Sequence, residues 1–209
     1  MPKQETPEPS INDLRKLIKD IVVPFYGVKR LTPIRFEPGR RENDAEHSWA
    51  LALVASALAP HVDNKLDIGK IAQFAVVHDL VEVYAGDTTN FASDEEKATK
   101  QQRENEAAER LQHELAALPW IMKTVQEYEA QDTAEARFVK SIDKLISLIM
   151  DYIDGGLLYR EEGLTLEAWK GLMENHRNKA SAHPGAYKYY VVIRELLESN
   201  PEHFIELKK

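Results

Sequence analysis

The stretch that decides the fold is Ile71–Ala85, IAQFAVVHDLVEVYA, where one imidazole and two carboxylates interrupt an otherwise apolar run. A helix that is apolar nearly all round is usually buried. Ionisable groups are costly to bury unless they are paired or bind a metal. His78, Asp79 and Glu82 therefore predict a buried functional site on this helix, with a metal ion as the leading ligand.

The composition narrows the class of protein. The chain has 209 residues, 43% of them hydrophobic, and a net charge of −8, which fits one domain with a sizeable core. The acidic balance argues against a nucleic-acid polymer or an anionic membrane as partner, although a bound cation still permits a small anionic substrate. The lack of cysteine excludes disulfides and thiolate metal sites. The sequence shows no signal-peptide stretch or membrane-length apolar window, so we expect a cytoplasmic protein.

Helix signals recur along the chain, with N-caps expected at Ser10, Asn43, Ser93 and Thr133. No strand alternation or hairpin signal accompanies them, which predicts an all-α fold, a compact helical bundle. We expect a disordered lead-in over 1–9 and a single domain over 10–209, with a motif-bearing core over 11–155 and C-terminal helices over 157–200. The helices are predicted over 10–23, 43–60, 67–85, 94–117, 120–130, 134–154, 165–180 and 185–198. The charge pattern of 94–117 favours a solvated face.

A long basic connection separates the first two predicted helices. Residues 24–42 contain several prolines and glycines together with the basic residues Lys29, Arg30, Arg35, Arg40 and Arg41. Long loops inside compact domains often carry binding residues, which favours a functional segment. The alternative is a solvated surface loop.

The candidate site extends beyond the His-Asp pair. His78 and Glu82 lie one helical turn apart, and Asp79 sits beside them, so their side chains can point toward one spot. Asp143 falls on the apolar stripe of its helix, between Val139 and Ile146. A carboxylate in that position needs a partner, either a metal or a neighbouring lysine, Lys140 or Lys144.

His47 completes a possible ligand set, although a single histidine at the start of a helix more often has a structural role. Two histidines and two aspartates make a mixed nitrogen and oxygen site that suits Mn²⁺, Fe²⁺, Co²⁺, Zn²⁺ or, less well, Mg²⁺. Such a site with positions left for water points to hydrolysis of a phosphoester. Glu82 is then the expected general base, or the group that orients the water.

These residues resemble the HD-domain metal-dependent phosphohydrolases, and more closely their 5′-deoxynucleotidase-like subgroup. The first motif is Glu42-Asn43-Asp44-Ala45-Glu46-His47-Ser48, and the second runs from His78-Asp79 through Glu82 to Gly86-Asp87. The third is Asp143-Lys144-Leu145. The resemblance covers about residues 11–155, with the motifs in the same order and at similar spacing.

The resemblance implies an all-helical HD bundle that cleaves 2′-deoxyribonucleoside 5′-monophosphates to deoxynucleoside and phosphate. It implies one divalent cation held by His47, His78, Asp79 and Asp143, with Glu82 as the catalytic glutamate. Asp87 matches a residue near the sugar that favours deoxyribose over ribose, and Arg30 matches an arginine that grips the phosphate. Members of the subgroup are commonly homodimers.

Two departures concern the phosphate-binding arginine. Leu31 follows Arg30 where the subgroup often has tryptophan, and the connection from Arg30 to His47 is about two residues longer than in the bacterial enzymes. Arg35, Arg40 or Arg41 is therefore an alternative phosphate ligand.

Two other functions stay open at this point. One is an HD-type phosphodiesterase or pyrophosphohydrolase acting on another nucleotide. The other is a metal-stabilised helical module that binds partners without chemistry, since a fold does not determine its function.

Overall fold

The N-terminal helix begins where the sequence predicts. The structure is a computed structural model that describes residues 8–89 and 91–206, so most of the predicted lead-in over 1–9 lies outside the described residues. The side chain of Ser10 accepts a hydrogen bond from the backbone N–H of Asp13 and caps α1, Ile11–Leu17. The helix continues through a π-helical segment, Ile18–Val22, into the short α2, Val23–Phe25.

The basic connection contains two short strands, so the expectation of no strand was wrong in this segment. β1, Lys29–Pro33, pairs antiparallel with β2, Arg41–Asn43, with Lys29 opposite Asn43. The Arg41 guanidinium also donates to the carbonyl oxygen of Leu31 across the pair, at 2.6 Å. Strands this short, with polar residues on both faces, do not produce the alternation by which strands are recognised in a sequence.

The long helix predicted over 67–85 is interrupted at the candidate site residues. α3, Asp44–Val62, follows the Asn43 cap, and α4 covers only Ile68–Val77. His78 to Val81 form a turn, and α5 is the single turn Glu82–Ala85, which ends at Gly86 as predicted. The His78 imidazole uses Nδ1 to donate to the Ala75 carbonyl oxygen at 2.9 Å, while the backbone N–H of Glu82 donates to the Asp79 carbonyl oxygen at 2.9 Å. These local bonds replace the regular helical ladder.

The remaining helices form the body of the all-α bundle, as predicted. α8 lies centrally and contacts helices from both halves of the chain, including α3, α4, α10 and α11. Their bounds are α6 Asp94–Glu114, α7 Pro119–Ala130, α8 Ala134–Ile153, α9 Leu157–Glu161, α10 Leu166–Ala180 and α11 Pro184–Glu198, followed by a 3₁₀ turn, Pro201–His203.

Two hydrophobic clusters meet at the site. The larger extends from Leu51 to Phe204, so the C-terminal helices share a core with the motif-bearing ones. The smaller joins the N-terminal helix to α6 and α7 and includes Val77, the residue before His78. The predicted domain bounds stay a prediction. Among the helices described, none has the length and apolar character needed to cross a bilayer.

Candidate metal centre and its cavities

The first predicted ligand, His47, lies in the first turn of α3 and is buried. Its Nε2 is 3.1 Å from Oδ1 of Asp143 on α8, and its Nδ1 is 3.5 Å from Oε2 of Glu42 on β2. Glu42 therefore holds the outer nitrogen of the ring, while the inner nitrogen faces Asp143. A carboxylate behind a histidine is the usual outer partner of a metal ligand, because it fixes the orientation and proton position of the ring.

The second histidine is fixed from the opposite side. Because a carbonyl oxygen can only accept, Nδ1 of His78 carries the proton in its bond to Ala75, and Nε2 is the ring nitrogen that faces the cluster. That Nε2 is buried and makes no hydrogen bond within the described residues, although it lies 2.8 Å from Oδ2 of Asp79. A buried ring nitrogen that lies beside a carboxylate oxygen and makes no hydrogen bond is a position that a cation can occupy.

The structure brings all four predicted metal ligands together. Ligand atoms of His47, His78 and Asp79 lie within 4.8 Å of one another, and the two imidazole rings are 5.4 Å apart between centroids. Asp143 joins the group through its contact with His47. Two imidazole nitrogens and two carboxylates fit a divalent cation such as Mn²⁺, Fe²⁺, Co²⁺ or Zn²⁺. The assignment of these four residues as ligands stays a prediction.

A second acidic group shares Asp79 with the first. Carboxylate oxygens of Asp44, Asp79 and Glu82 lie within 4.8 Å of one another. Burial, followed by the negative charges of Asp79 and Asp87, raises the pKa of Glu82 to about 11. Burial is also the main cause that raises the pKa of Asp44 to about 6. The site thus concentrates more negative charge than the neighbouring arginine offsets, which further suits a cation-binding centre.

Of the three arginines predicted to bind substrate, Arg30 lies at this cluster. Its Nη1 donates to Oδ2 of Asp79 at 2.9 Å and to Oδ1 of Asp44 at 3.2 Å, and its Nε is 3.6 Å from Oε2 of Glu42. Sequence reasoning missed Glu42 and Asp44 as site residues, because an acid at a helix start reads as a cap or as a partner of the helix dipole.

The structure does not bring Arg35 and Arg40 to the cluster. Arg35 donates to the carbonyl oxygen of Ile153 at 2.8 Å. Arg40 pairs with Glu46 at 2.8 Å and with Glu37 at 2.5 Å, so these two carboxylates offset its charge at the surface of the loop. Arg41, the further alternative, donates to Glu161 at 2.5 Å.

Among the cavities formed by the described residues, two are lined by Asp79 and Glu82 together. The larger, of about 780 Å³, is lined by His78, Asp79, Glu82 and Asp143 and is bounded by α6 and α7. The smaller, of about 150 Å³, is lined by Arg30, Asp79, Glu82 and Asp87. The larger volume falls in the range of small-molecule sites, about 300–1,000 Å³. Asp79 and Glu82 therefore stand between a substrate-sized space and a small polar one.

The C-terminal helices also reach the smaller cavity, which no motif had indicated. Asp151, Tyr159 and His176 line its far end, where the Tyr159 hydroxyl donates to Oδ2 of Asp151 at 2.6 Å. Sequence reasoning missed these residues because they come from three helices and are joined only by the packing of the bundle. The same holds for Lys100 and Lys179, which line both cavities together with Lys144 of the third motif.

Comparison with known proteins agrees with this geometry. Residues 27–183 match a family model described as HD domain. The human protein named 5′-deoxynucleotidase HDDC2 is 34% identical over 107 residues, which cover 50% of this chain and 50% of that protein. The Xenopus laevis protein of the same name is 29% identical over 158 residues, covering 73% of this chain and 69% of that protein. The match therefore spans about half the length of the human relative.

Solved structures show the same fold. One described as a predicted metal-dependent phosphohydrolase from Magnetospirillum magnetotacticum MS-1 has a TM-score of 0.72 at 30% identity, covering 93% of this chain and 96% of that chain. A conserved hypothetical protein from Pyrococcus furiosus, at 24% identity and a TM-score of 0.58 over 91% of this chain and 99% of that chain, shows the fold alone. The resemblance to the HD domain family that the motifs carry is confirmed, and the chain belongs to that family.

Proposed function

We propose that this HD-domain protein is a metal-dependent phosphohydrolase that cleaves 2′-deoxyribonucleoside 5′-monophosphates to deoxynucleoside and phosphate. The observation that carries the proposal is the convergence of His47, His78, Asp79 and Asp143 beside Glu82, where all of these except His47 line a substrate-sized cavity. The relatives named 5′-deoxynucleotidase support this choice of substrate.

The four proposed ligands would hold one divalent cation. When bound, such a cation lowers the pKa of a coordinated water and polarises a phosphoryl oxygen. Glu82 lies on the wall of both cavities beside Asp79, so its side chain is placed to accept or direct the proton of the attacking water. The bond from His78 to the Ala75 carbonyl oxygen and the contact of His47 with Glu42 keep the two imidazoles aimed inward.

Asp87 is proposed to contact the sugar. Gly86 takes a φ of 72°, in the left-handed region, and this turn carries the chain from α5 into the wall of the smaller cavity, where Asp87 lies. Burial is the first cause that raises the pKa of Asp87. A carboxyl group there can accept or donate a hydrogen bond to a sugar hydroxyl, which supports a role in choosing between deoxyribose and ribose.

A phosphate-release assay tests the proposed reaction. Metal-loaded protein is offered deoxyribonucleoside 5′-monophosphates, ribonucleoside 5′-monophosphates, cyclic or linear phosphodiesters and nucleoside di- and triphosphates. We expect phosphate chiefly from the deoxynucleoside monophosphates, near-complete loss in Asp79→Ala and Glu82→Ala, and retention in Glu195→Ala, an exposed residue of α11 that lines neither cavity.

The other outcomes of that assay identify the competing functions. Cleavage of diesters or of a pyrophosphate bond, without release from monoesters, would replace the proposal with an HD-type phosphodiesterase or pyrophosphohydrolase. Metal binding without turnover of any nucleotide would favour a non-catalytic binding module. Full activity in Asp79→Ala or Glu82→Ala would reject the role given to that residue.

A homodimer in the cytoplasm completes the proposal. An apolar groove formed by α3, α8 and α11 exposes 55% of Leu53 and 56% of Val192, which supports an interface on that face. Light scattering on purified protein is expected to give twice the chain mass, and a Val192→Glu variant is expected to give the monomer. A monomeric wild type at micromolar concentration would remove the homodimer from the proposal. The cytoplasmic location stays a prediction from sequence.

A further inference from the structure

Three lysines from three different helices converge beside the metal centre. Lys100 on α6, Lys144 on α8 and Lys179 on α10 each line both cavities, the large one and the small one. The two cavities therefore share these lysines in their walls, as they share Asp79 and Glu82. Positive groups gathered at one point of a cavity form an electrostatic site for an anion.

These lysines have few carboxylate partners outside the metal centre. Nζ of Lys100 is 3.2 Å from Oε1 of Glu104, and Nζ of Lys144 is 2.7 Å from Oδ2 of Asp143, a proposed metal ligand. Within residues 8–89 and 91–206, no carboxylate lies within ion-pair distance of Lys179. Partial burial, and then the charges of Lys144, Lys100 and Lys140, lower the pKa of Lys179. The ammonium groups thus repel one another, and an anion between them would relieve that repulsion.

The metal centre by itself does not supply enough positive charge to balance the charge of a substrate phosphate. A divalent cation with two neutral imidazoles and two carboxylates sums to zero, and Arg30 is already bonded to Asp44 and Asp79. A phosphomonoester brings a charge of about −1.5 to −2 near neutral pH. Three lysines, with Glu104 facing one of them, supply positive charge of matching size.

We propose that Lys100, Lys144 and Lys179 bind the phosphate oxygens of the substrate, so that the phosphate is held between the metal centre and a lysine cluster. This assignment rests on the proposed function for the identity of the anion. It differs from the arginine grip that the family resemblance implied, because the guanidinium of Arg30 is tied to buried carboxylates and Arg35 and Arg40 lie elsewhere.

Binding of inorganic phosphate to metal-loaded protein tests the lysine cluster without requiring turnover. Isothermal titration calorimetry is run on wild type, Lys179→Gln and Lys100→Gln, with Lys123→Gln as the control, since the Lys123 side chain is 76% exposed on another helix. Lys179 is itself an exposed residue at the cavity mouth, so its replacement is expected to leave the fold intact. Metal content is measured on each sample to show that the cation site is unchanged.

We expect Kd for phosphate to rise about tenfold or more in Lys179→Gln and in Lys100→Gln, as for loss of a charge-assisted hydrogen bond, and to stay unchanged in Lys123→Gln. KM for the nucleotide should rise in parallel, with a smaller change in kcat. A Kd within twofold of wild type in both cluster variants, at full metal content, would overturn the lysine assignment. Lysine-dependent phosphate binding by a protein that releases no phosphate from any nucleotide would instead reject the proposed function alone.

Discussion

Replacing Arg30 by methionine should destabilise the metal-free protein far more than replacing an arginine of the neighbouring loop. The Arg30 side chain is only 14% exposed and bonds to Asp79 and Asp44, and the Asp44 side chain is 0% exposed. Removal of one partner from a buried ion pair leaves an uncompensated charge and typically costs about 3–5 kcal/mol. The Arg40 side chain is 34% exposed and pairs with Glu37 and Glu46, so its replacement by methionine should lower the free energy of unfolding by at most about 1 kcal/mol.

Urea denaturation in the presence of a chelator measures the free energy of unfolding lost in Arg30→Met and in Arg40→Met, and thermal denaturation measures the matching fall in Tm. For a domain of this size, a loss of 3–5 kcal/mol corresponds to a fall in Tm of roughly 6–20 °C, since each kcal/mol shifts Tm by about 2–4 °C. The double variant Arg30→Met/Asp44→Asn should recover part of the loss, because the second change removes the charge that the first leaves unpaired. Equal losses in the free energy of unfolding for Arg30→Met and Arg40→Met would contradict a stabilising role for the buried charge cluster. A double variant less stable than Arg30→Met alone would contradict it as well.

Three further predictions follow from the site and its surroundings. Glu82→Gln should release phosphate at least about a hundredfold more slowly than wild type while keeping its metal content; loss of metal in that variant would contradict a role limited to the water proton. Chelation should lower Tm, and stoichiometric Mn²⁺ or Co²⁺ should restore it; an unchanged Tm would contradict a resident cation. Burial raises the pKa of Asp151 to about 7. The folded state therefore holds that proton more tightly than the unfolded chain, and the ionised carboxylate costs stability as pH rises from about 4 to 7. Relative to wild type, Asp151→Asn should gain up to about 4 kcal/mol across that window; a pH-independent difference would contradict the shift.

Local signals explain which parts of the fold were predictable. Ser10, Asn43, Ser93 and Thr133 each accept a hydrogen bond from the backbone three residues ahead, as expected of N-caps. Such bonds depend only on neighbouring residues, so sequence alone identifies them.

The break after Val77 was missed for the opposite reason. The apolar pattern continues through 71–85, and the pattern alone extends the helix. The chain leaves the helical ladder where the His78 imidazole and the turn at Asp79 take over the backbone groups. A functional side chain overrode the local preference, as is common at strained or catalytic positions.

The parts of the site that the motifs missed are those assembled by packing. Lys100 and Lys179 lie dozens of residues from Lys144 of the third motif, and they share its cavities because α6, α8 and α10 surround the same spaces. Asp151 and Tyr159 meet through the contact of α8 with α9. No regular spacing in the sequence predicts these contacts. A lysine on a charged helix also has the pattern of a solvated surface residue.

Diffraction data collected at the absorption edge of Mn or Co, on crystals grown with that ion, test the central claim most directly. We expect one anomalous peak bound by Nε2 of His47 and His78 and by carboxylate oxygens of Asp79 and Asp143, at about 2.0–2.2 Å. An ion held elsewhere, for instance by Asp44 and Glu82 without either histidine, would contradict the proposed centre. So would no peak in crystals of protein that still releases phosphate after exhaustive chelation.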